Sequence, residues 1–143
     1  VTYIGTTNKK ATKITIGNTV TYKKVTYKIT SVYTKSLRKN TKVSQISIGN
    51  NVTAIGTSAF EGCTALKSVT IGTGVTSVGK DAFKSCKKIS AITIRSTKLK
   101  AVGSNAFRGI YAKAKIRVPS AKLKAYQKLL KNKGQGSKVK ISR

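Results

Sequence analysis

The sequence predicts a β-rich α/β repeat solenoid in which each repeat supplies one parallel strand and one short helical turn. Three observations predict it. Segments starting at Ile29, Val52 and Val75 align without a gap at a step of 23 residues, and a fourth copy starts at Leu99, one residue late. Pairs of alternating apolar residues recur once per repeat: Ile14/Ile16, Ile46/Ile48, Val69/Ile71, Ile92/Ile94 and Ile116/Val118. One large apolar slot holds Leu37, Phe60, Phe83 and Phe107, and a second holds Val32, Ile55, Val78 and Val102. Self-similarity at such a period is the mark of a stack whose units cannot bury their apolar faces alone.

Each element follows from local pattern. Short-run alternation means a half-buried strand, so each pair is one rung of a parallel ladder. The V-T-x-I-G stretch after it reads as a second short extended piece. Gly56, Gly79 and Gly103 then permit a sharp turn. The Ala-Phe segment reads as a helical turn, with Ser58, Asp81 and Asn105 placed as its N-caps. The slack before the fourth copy falls at residues 95–98.

Both ends depart from the repeat. In TVTYKKVTYKIT a hairpin turns at Lys23 and Lys24, between Ile16 and the first full repeat. After Pro119-Ser120, Leu123, Tyr126, Leu129 and Leu130 fall at helical spacing, and Gly134 suits a helix stop. Residues 138–141 read as a last strand that returns to the sheet or the cap. The chain thus divides as one domain over 1–143: an N-terminal cap with its hairpin (1–28), repeats (29–118), and a C-terminal capping helix and strand (119–143). Its 143 residues suit one domain with a modest core.

Charge narrows the partners. There are 30 Lys plus Arg against 2 acids, a net charge of +28. Such a surface attracts polyanions and repels itself, which favours a monomer. The candidate classes are nucleic acid, teichoic acid, acidic polysaccharide and anionic membrane. Arg occurs only at 38, 95, 108, 117 and 143. Lys is a mobile point charge, so the balance favours diffuse attraction over a forked phosphate or base site. Nucleic acid is therefore the less favoured partner. No apolar run is long enough to span a membrane. The chain begins at Val1 and contains no Met, as an excised fragment would.

Catalysis is poorly supported. Glu61 and Asp81 are the only carboxylates, and they occupy different slots of different repeats. With no His, neither a Ser–His nor a Cys–His pair is possible. Two Cys without His leave too few ligands for a metal. Cys63 and Cys86 share a slot with Asn40 and Ile110, so they read as interior packing, although stacked slots lie near disulfide distance. The expectation is a non-enzyme without cofactor.

Two binding surfaces are candidates. The outward strand column runs Thr15, Ser47, Thr70, Thr93 and Arg117, beside Lys13, Gln45, Ser68, Ala91 and Lys115. It would line the concave face of a curved stack. The basic candidates sit on turns and toward the C-terminus: Lys84, Lys87, Lys88, Lys113 and Lys115. The tyrosines at 3, 22, 27 and 33 fall on alternating positions and read as packing of the N-terminal cap, although aromatics among lysines can also stack bases.

The stretch LKSVTIGTGVTSVGKDAFKSC, residues 66–86, resembles the BspA-type leucine-rich repeats of bacterial surface proteins. The resemblance covers most of the chain, from Thr12 to Pro119. The closing IRVPSAKLKAYQKLLKNKG is similar to the end cap of such proteins from Gram-positive gut bacteria. The first repeat departs from the pattern, with Tyr33 for the Gly, Leu37 for the Phe and Asn40 for the Cys. The resemblance implies a right-handed leucine-rich-repeat solenoid, export, a secreted or cell-wall-associated location, and adhesion or protein binding. Together with the charge, it points to anionic wall polymer, acidic or sulfated glycan, or a host or bacterial protein as partner. A spacer or cap in a larger multidomain protein is the further alternative.

Overall fold

A computed structural model of the chain describes residues 1–8 and 10–143. In chain order the strands begin with β1 (Thr2–Tyr3), β2 (Lys13–Ile16), β3 (Thr19–Tyr22), β4 (Val25–Lys28), β5 (Ser31–Val32) and β6 (Gln45–Ile48). They continue with β7 (Ala54–Ile55), β8 (Ser68–Ile71), β9 (Ser77–Val78), β10 (Ala91–Ile94), β11 (Ala101–Val102) and β12 (Lys115–Arg117). A 3-10 turn (Ser120–Lys122) leads into the helix α1 (Leu123–Leu129), and β13 (Lys140–Ser142) follows.

The strands form two parallel sheets in a solenoid. The longer strands make a six-stranded sheet in the order β13-β12-β10-β8-β6-β2, and the two-residue strands make a five-stranded sheet, β1-β5-β7-β9-β11. Each full coil therefore contributes two strands, the second being the short extended piece. Register follows the apolar pairs: Ile14 faces Ile46, Ile46 faces Val69, Val69 faces Ile92, and Ile92 faces Ile116. All five are buried. The last strand adds a rung the repeats do not announce, with Ile141 beside Ile116.

The segment expected to be a helical turn is a run of reverse turns. Ala59, Glu61 and Cys63 amides close four-residue turns on the Gly56, Ser58 and Phe60 carbonyls. The alternate amides, Ser58, Phe60 and Gly62, donate instead to Lys80, Ala82 and Lys84 of the next coil, at 2.9, 2.9 and 2.8 Å. These turns thus act as a third ladder between coils. Ser58, Asp81 and Asn105 are not N-caps, because their φ values are 52°, 56° and 55°. An N-cap is extended, whereas short polar residues are those that best tolerate the left-handed region. The polar signal was genuine but marked a different backbone state.

The glycines have a different reason too. Gly56, Gly79 and Gly103 lie outside the left-handed region. A Cβ there would stand 2.6, 2.6 and 2.3 Å from backbone atoms of the preceding coil. Close approach, rather than turn freedom, requires glycine.

Inside the stack, Phe60, Phe83 and Phe107 form a column with ring centroids 5.2 and 5.8 Å apart and planes inclined by 18° and 3°. Leu37 is buried in the equivalent slot of the first coil. Cys63 and Cys86 are free and buried. Each thiol donates to a carbonyl of the preceding coil, Leu37 at 3.1 Å and Phe60 at 3.0 Å. Hydrogen bonding to Cys63, together with burial, pushes the Cys86 thiol well above its ordinary value.

The two ends are built differently. β3 and β4 pair antiparallel across Lys23 and Lys24, whose φ values of 47° and 64° give a turn with both central residues left-handed. All eight strand residues are exposed. Tyr22 and Tyr27 therefore do not pack a cap, and Tyr33 is also exposed; Tyr3 alone of the four packs partly against the core. The hairpin pairs with itself as a two-stranded sheet, and among the described residues no second layer buries either face.

At the other end α1 stops at Leu129, short of Gly134. Asn132 takes the left-handed position (φ 60°), and the Lys133 carbonyl accepts from the Phe107 amide, continuing the turn ladder. The Tyr126 hydroxyl donates to the Ser96 carbonyl (3.0 Å) and accepts from the Leu99 amide (2.9 Å). It thereby stitches the 95–98 stretch that carries the extra residue.

Three outcomes follow. Gly79→Ala should lower stability by about 1–3 kcal/mol, because backbone, not a flexible side chain, meets the new methyl. Tyr126→Phe strands a buried donor and acceptor and should cost about 1–3 kcal/mol. Urea unfolding followed by circular dichroism reads both. Neither thiol should react with a maleimide in the native protein and both should react on unfolding; rapid native labelling would contradict their place in the core.

Candidate binding surfaces

The outward columns of the long-strand sheet run in the expected register. Thr15, Ser47, Thr70, Thr93 and Arg117 stand side by side on consecutive strands, and Ser142 on β13 extends the column. The first three line a groove of about 420 Å³ with Asn18, Asn50 and Arg95. Thr93 and Arg117 line an adjoining recess in which Arg95 recurs. Asn18 and Asn50 hold this corner of the stack. The Asn18 Oδ1 accepts the Asn50 amide, and the Asn50 Oδ1 accepts the Thr73 amide at 3.0 Å. The groove is therefore polar and carries one cation but no carboxylate.

The basic residues separate into two groups. Lys113, Lys115, Lys138 and Lys140 line one recess of about 480 Å³, with Ser137 as its fifth wall residue. Parallel pairing of β12 and β13 puts Lys115 directly beside Lys140. Like charges so placed repel and weaken the pair. Lys67, Lys87, Lys88, Ser90 and Tyr111 line a second, shallower recess. Backbone bonds join these segments: Ser90 donates to the Lys67 carbonyl and Lys115 to the Ser90 carbonyl. The lysines thus follow one edge of the solenoid, where the chain enters the long strands.

Lys84 is not on that edge. It lies in the reverse-turn run, 3.5 Å from Glu61 and 3.8 Å from Asp81. Arg38 meets Glu61 at 2.9 Å. Burial raises the Glu61 pKa, but hydrogen bonds from Ser58 and Arg38 and the charges of Arg38 and Lys84 outweigh it and hold the carboxyl below its ordinary value. Its ion pairs therefore stand at neutral pH and are lost as pH falls through that lowered value. Both carboxylates of the chain are thus engaged on the turn side. Among the described residues no group of three His, Cys, Asp or Glu could hold a metal ion, and no helix is long and apolar enough to cross a membrane.

Of the residues singled out from sequence, Lys87, Lys88, Lys113 and Lys115 come together on the basic edge; Lys115 stands two residues before Arg117 on β12 and so shares the sheet face of the strand column. Sequence reasoning missed Arg95 and Lys67, and placed Lys138 and Lys140 only within a dense basic run over 113–143. Arg95 sat in the irregular 95–98 stretch, where no slot could be assigned. Lys138 and Lys140 become neighbours of Lys113 and Lys115 only once β13 is known to pair with β12, and the repeat carries no trace of that pairing.

Comparison with known proteins agrees with this geometry. The family described as BspA type Leucine rich repeat region matches residues 30–142, in 6 copies. The chain is similar to a leucine-rich repeat protein from Bacteroides ovatus, with 30% identity and a TM-score of 0.66; the match covers 75% of this chain and 27% of that one. It is also similar to a leucine rich repeat protein of T. pallidum (20% identity, TM-score 0.48, covering 77% and 60% of the two chains). A leucine rich cell surface protein from Faecalibacterium prausnitzii has 21% identity and a TM-score of 0.40, covering 74% and 47%. No curated protein matches. The chain therefore spans less than a third of the length of the Bacteroides protein. With the family matched across most of its length and the two parallel sheets in repeat register, the chain belongs to the BspA type leucine-rich repeat family.

Proposed function

We propose that this domain is a non-catalytic binding module of an exported bacterial surface protein, and that its basic edge holds an anionic polymer, either wall polymer or acidic or sulfated glycan. The observation that carries this reading is the recess walled by Lys113, Lys115, Lys138 and Lys140. Lys115 and Lys140 are held side by side at a cost in pairing energy. Both carboxylates are engaged elsewhere, by Arg38 and Lys84. A polyanion laid along the edge would relieve that repulsion. Many weak ammonium contacts would add up on a rigid stack, and displaced counterions would drive the association.

A second reading is supported by the strand groove. Its hydroxyls, its amides and Arg95 suit recognition of a protein segment by hydrogen bonds, with little dependence on salt. Repeat solenoids commonly bind through such a face. A purely structural spacer or cap of a longer protein is the third, and it predicts no binding at all.

Charge position separates these readings. Replacing Lys113, Lys115, Lys138 and Lys140 by Gln should weaken binding to heparin and to purified cell walls. It should also flatten the slope of log affinity against log salt by about 3. Removing the same charge from the turn side, with Lys35, Lys39, Lys80 and Arg108 changed to Gln, should flatten it far less. Equal losses in the two variants would mean that total charge, not the edge, attracts the polymer. Affinity that does not depend on salt would favour the groove.

A further inference from the structure

The hairpin of β3 and β4 is unexplained by the solenoid. It is an insertion in a coil that closes without it, since the Ile29 amide donates to the Asn18 carbonyl at its base. Pairing of Val20 with Tyr27 and of Tyr22 with Val25 puts all four side chains on one face. They are 46%, 40%, 64% and 51% exposed, respectively. Thr19, Thr21, Thr26 and Lys28 occupy the other face. A two-stranded hairpin is marginally stable in water, and an uncovered apolar face does nothing for its solubility.

The turn sharpens the question. Lys23 and Lys24 both take left-handed φ values, 47° and 64°. Such a turn favours Asn-Gly, and a lysine there is strained. Strain held at an exposed tip points to a use for the side chains. The Lys23 ammonium also stands 5.6 Å from the Tyr22 ring centroid. That ammonium lies over one face of the ring, so a flat group stacking on the opposite face would still have a cation close to its own charge.

We propose that the hairpin is a sugar-stacking arm. Tyr22 and Tyr27 receive the apolar ring faces of an anionic glycan, and Lys23 and Lys24 at the tip pair with its sulfate or carboxylate groups. The proposal rests on the anionic-polymer reading and narrows it, because lysines alone accept any polyanion, whereas exposed tyrosines beside them demand one with rings. Charge complementarity fixes the occupant as anionic: the hairpin carries three lysines and no acid. A protein or lipid partner would use the valines equally well but would not need the strained lysine pair.

The test uses the full chain and four probes: heparin, hyaluronan, inorganic polyphosphate and single-stranded oligothymidylate. Tyr22→Thr with Tyr27→Thr should lower heparin or hyaluronan affinity about tenfold, within the range of aromatic stacking on rings. Polyphosphate affinity should stay within about twofold, since that polymer has no rings to stack. A loss on heparin alone assigns sulfated sugars, and on hyaluronan alone carboxylated ones. Lys23→Asn with Lys24→Gly should weaken glycan binding while leaving thermal stability unchanged or raised, because Asn-Gly suits the turn. Unchanged glycan affinity in both variants overturns the proposal while the basic edge stands. So does an equal loss on polyphosphate, or a larger loss on oligothymidylate, which would make the arm a base-stacking site. Failure of the unaltered chain to bind any of the four probes would sink the anionic-polymer reading itself.

Discussion

Every coil of this solenoid rests backbone-to-backbone on the one before it, and that contact governs the rest. Three hydrogen-bonded ladders share it: the long strands, the short strands and the alternating amides of the turn run. The spacing leaves no room for a Cβ at Gly56, Gly79 or Gly103. It also sets the distances inside the core, where the phenylalanine rings repeat at 5.2 and 5.8 Å. A parallel stack of this kind satisfies the polar groups of a segment that is neither helix nor strand, which a buried turn must otherwise do with side chains or water.

The same constraint sorts the surface. Because each position repeats one rung away, a residue type placed in one slot becomes a line along the stack. Hydroxyls fall in the outward strand column, and lysines gather where the chain enters the long strands. The two acids and their partners fall in the turn run. Net charge is therefore not spread evenly. The turn side is partly neutralised, whereas the recess of Lys113, Lys115, Lys138 and Lys140 has no carboxylate in its wall.

Features that repeat were legible in the sequence. The alternating apolar pairs and the phenylalanine slot each appear several times, and the cysteine slot twice, so one rung checks another. Features that occur once were not. The partner of β13, the place of Arg95 and the exposure of Tyr22 and Tyr27 depend on tertiary contacts that no second copy reports. Two local signals were seen but misassigned. Short polar residues at 58, 81 and 105 suit a helix start and a left-handed turn alike, and glycine suits a turn and a tight contact alike. Only backbone angles and distances separate those pairs.

The central claim is that one edge of the stack, rather than net charge as a whole, is the working surface. Amide and lysine side-chain NMR shifts, followed while a short heparin fragment is titrated in, test it most directly. The account predicts the earliest and largest changes at Lys67, Lys87, Lys88, Lys113, Lys115, Lys138 and Lys140, with further changes in the hairpin at Tyr22, Lys23, Lys24 and Tyr27, and the turn run around Arg38, Glu61 and Lys84 little affected. Changes centred on that turn run, or spread evenly over the cationic side chains, would contradict it.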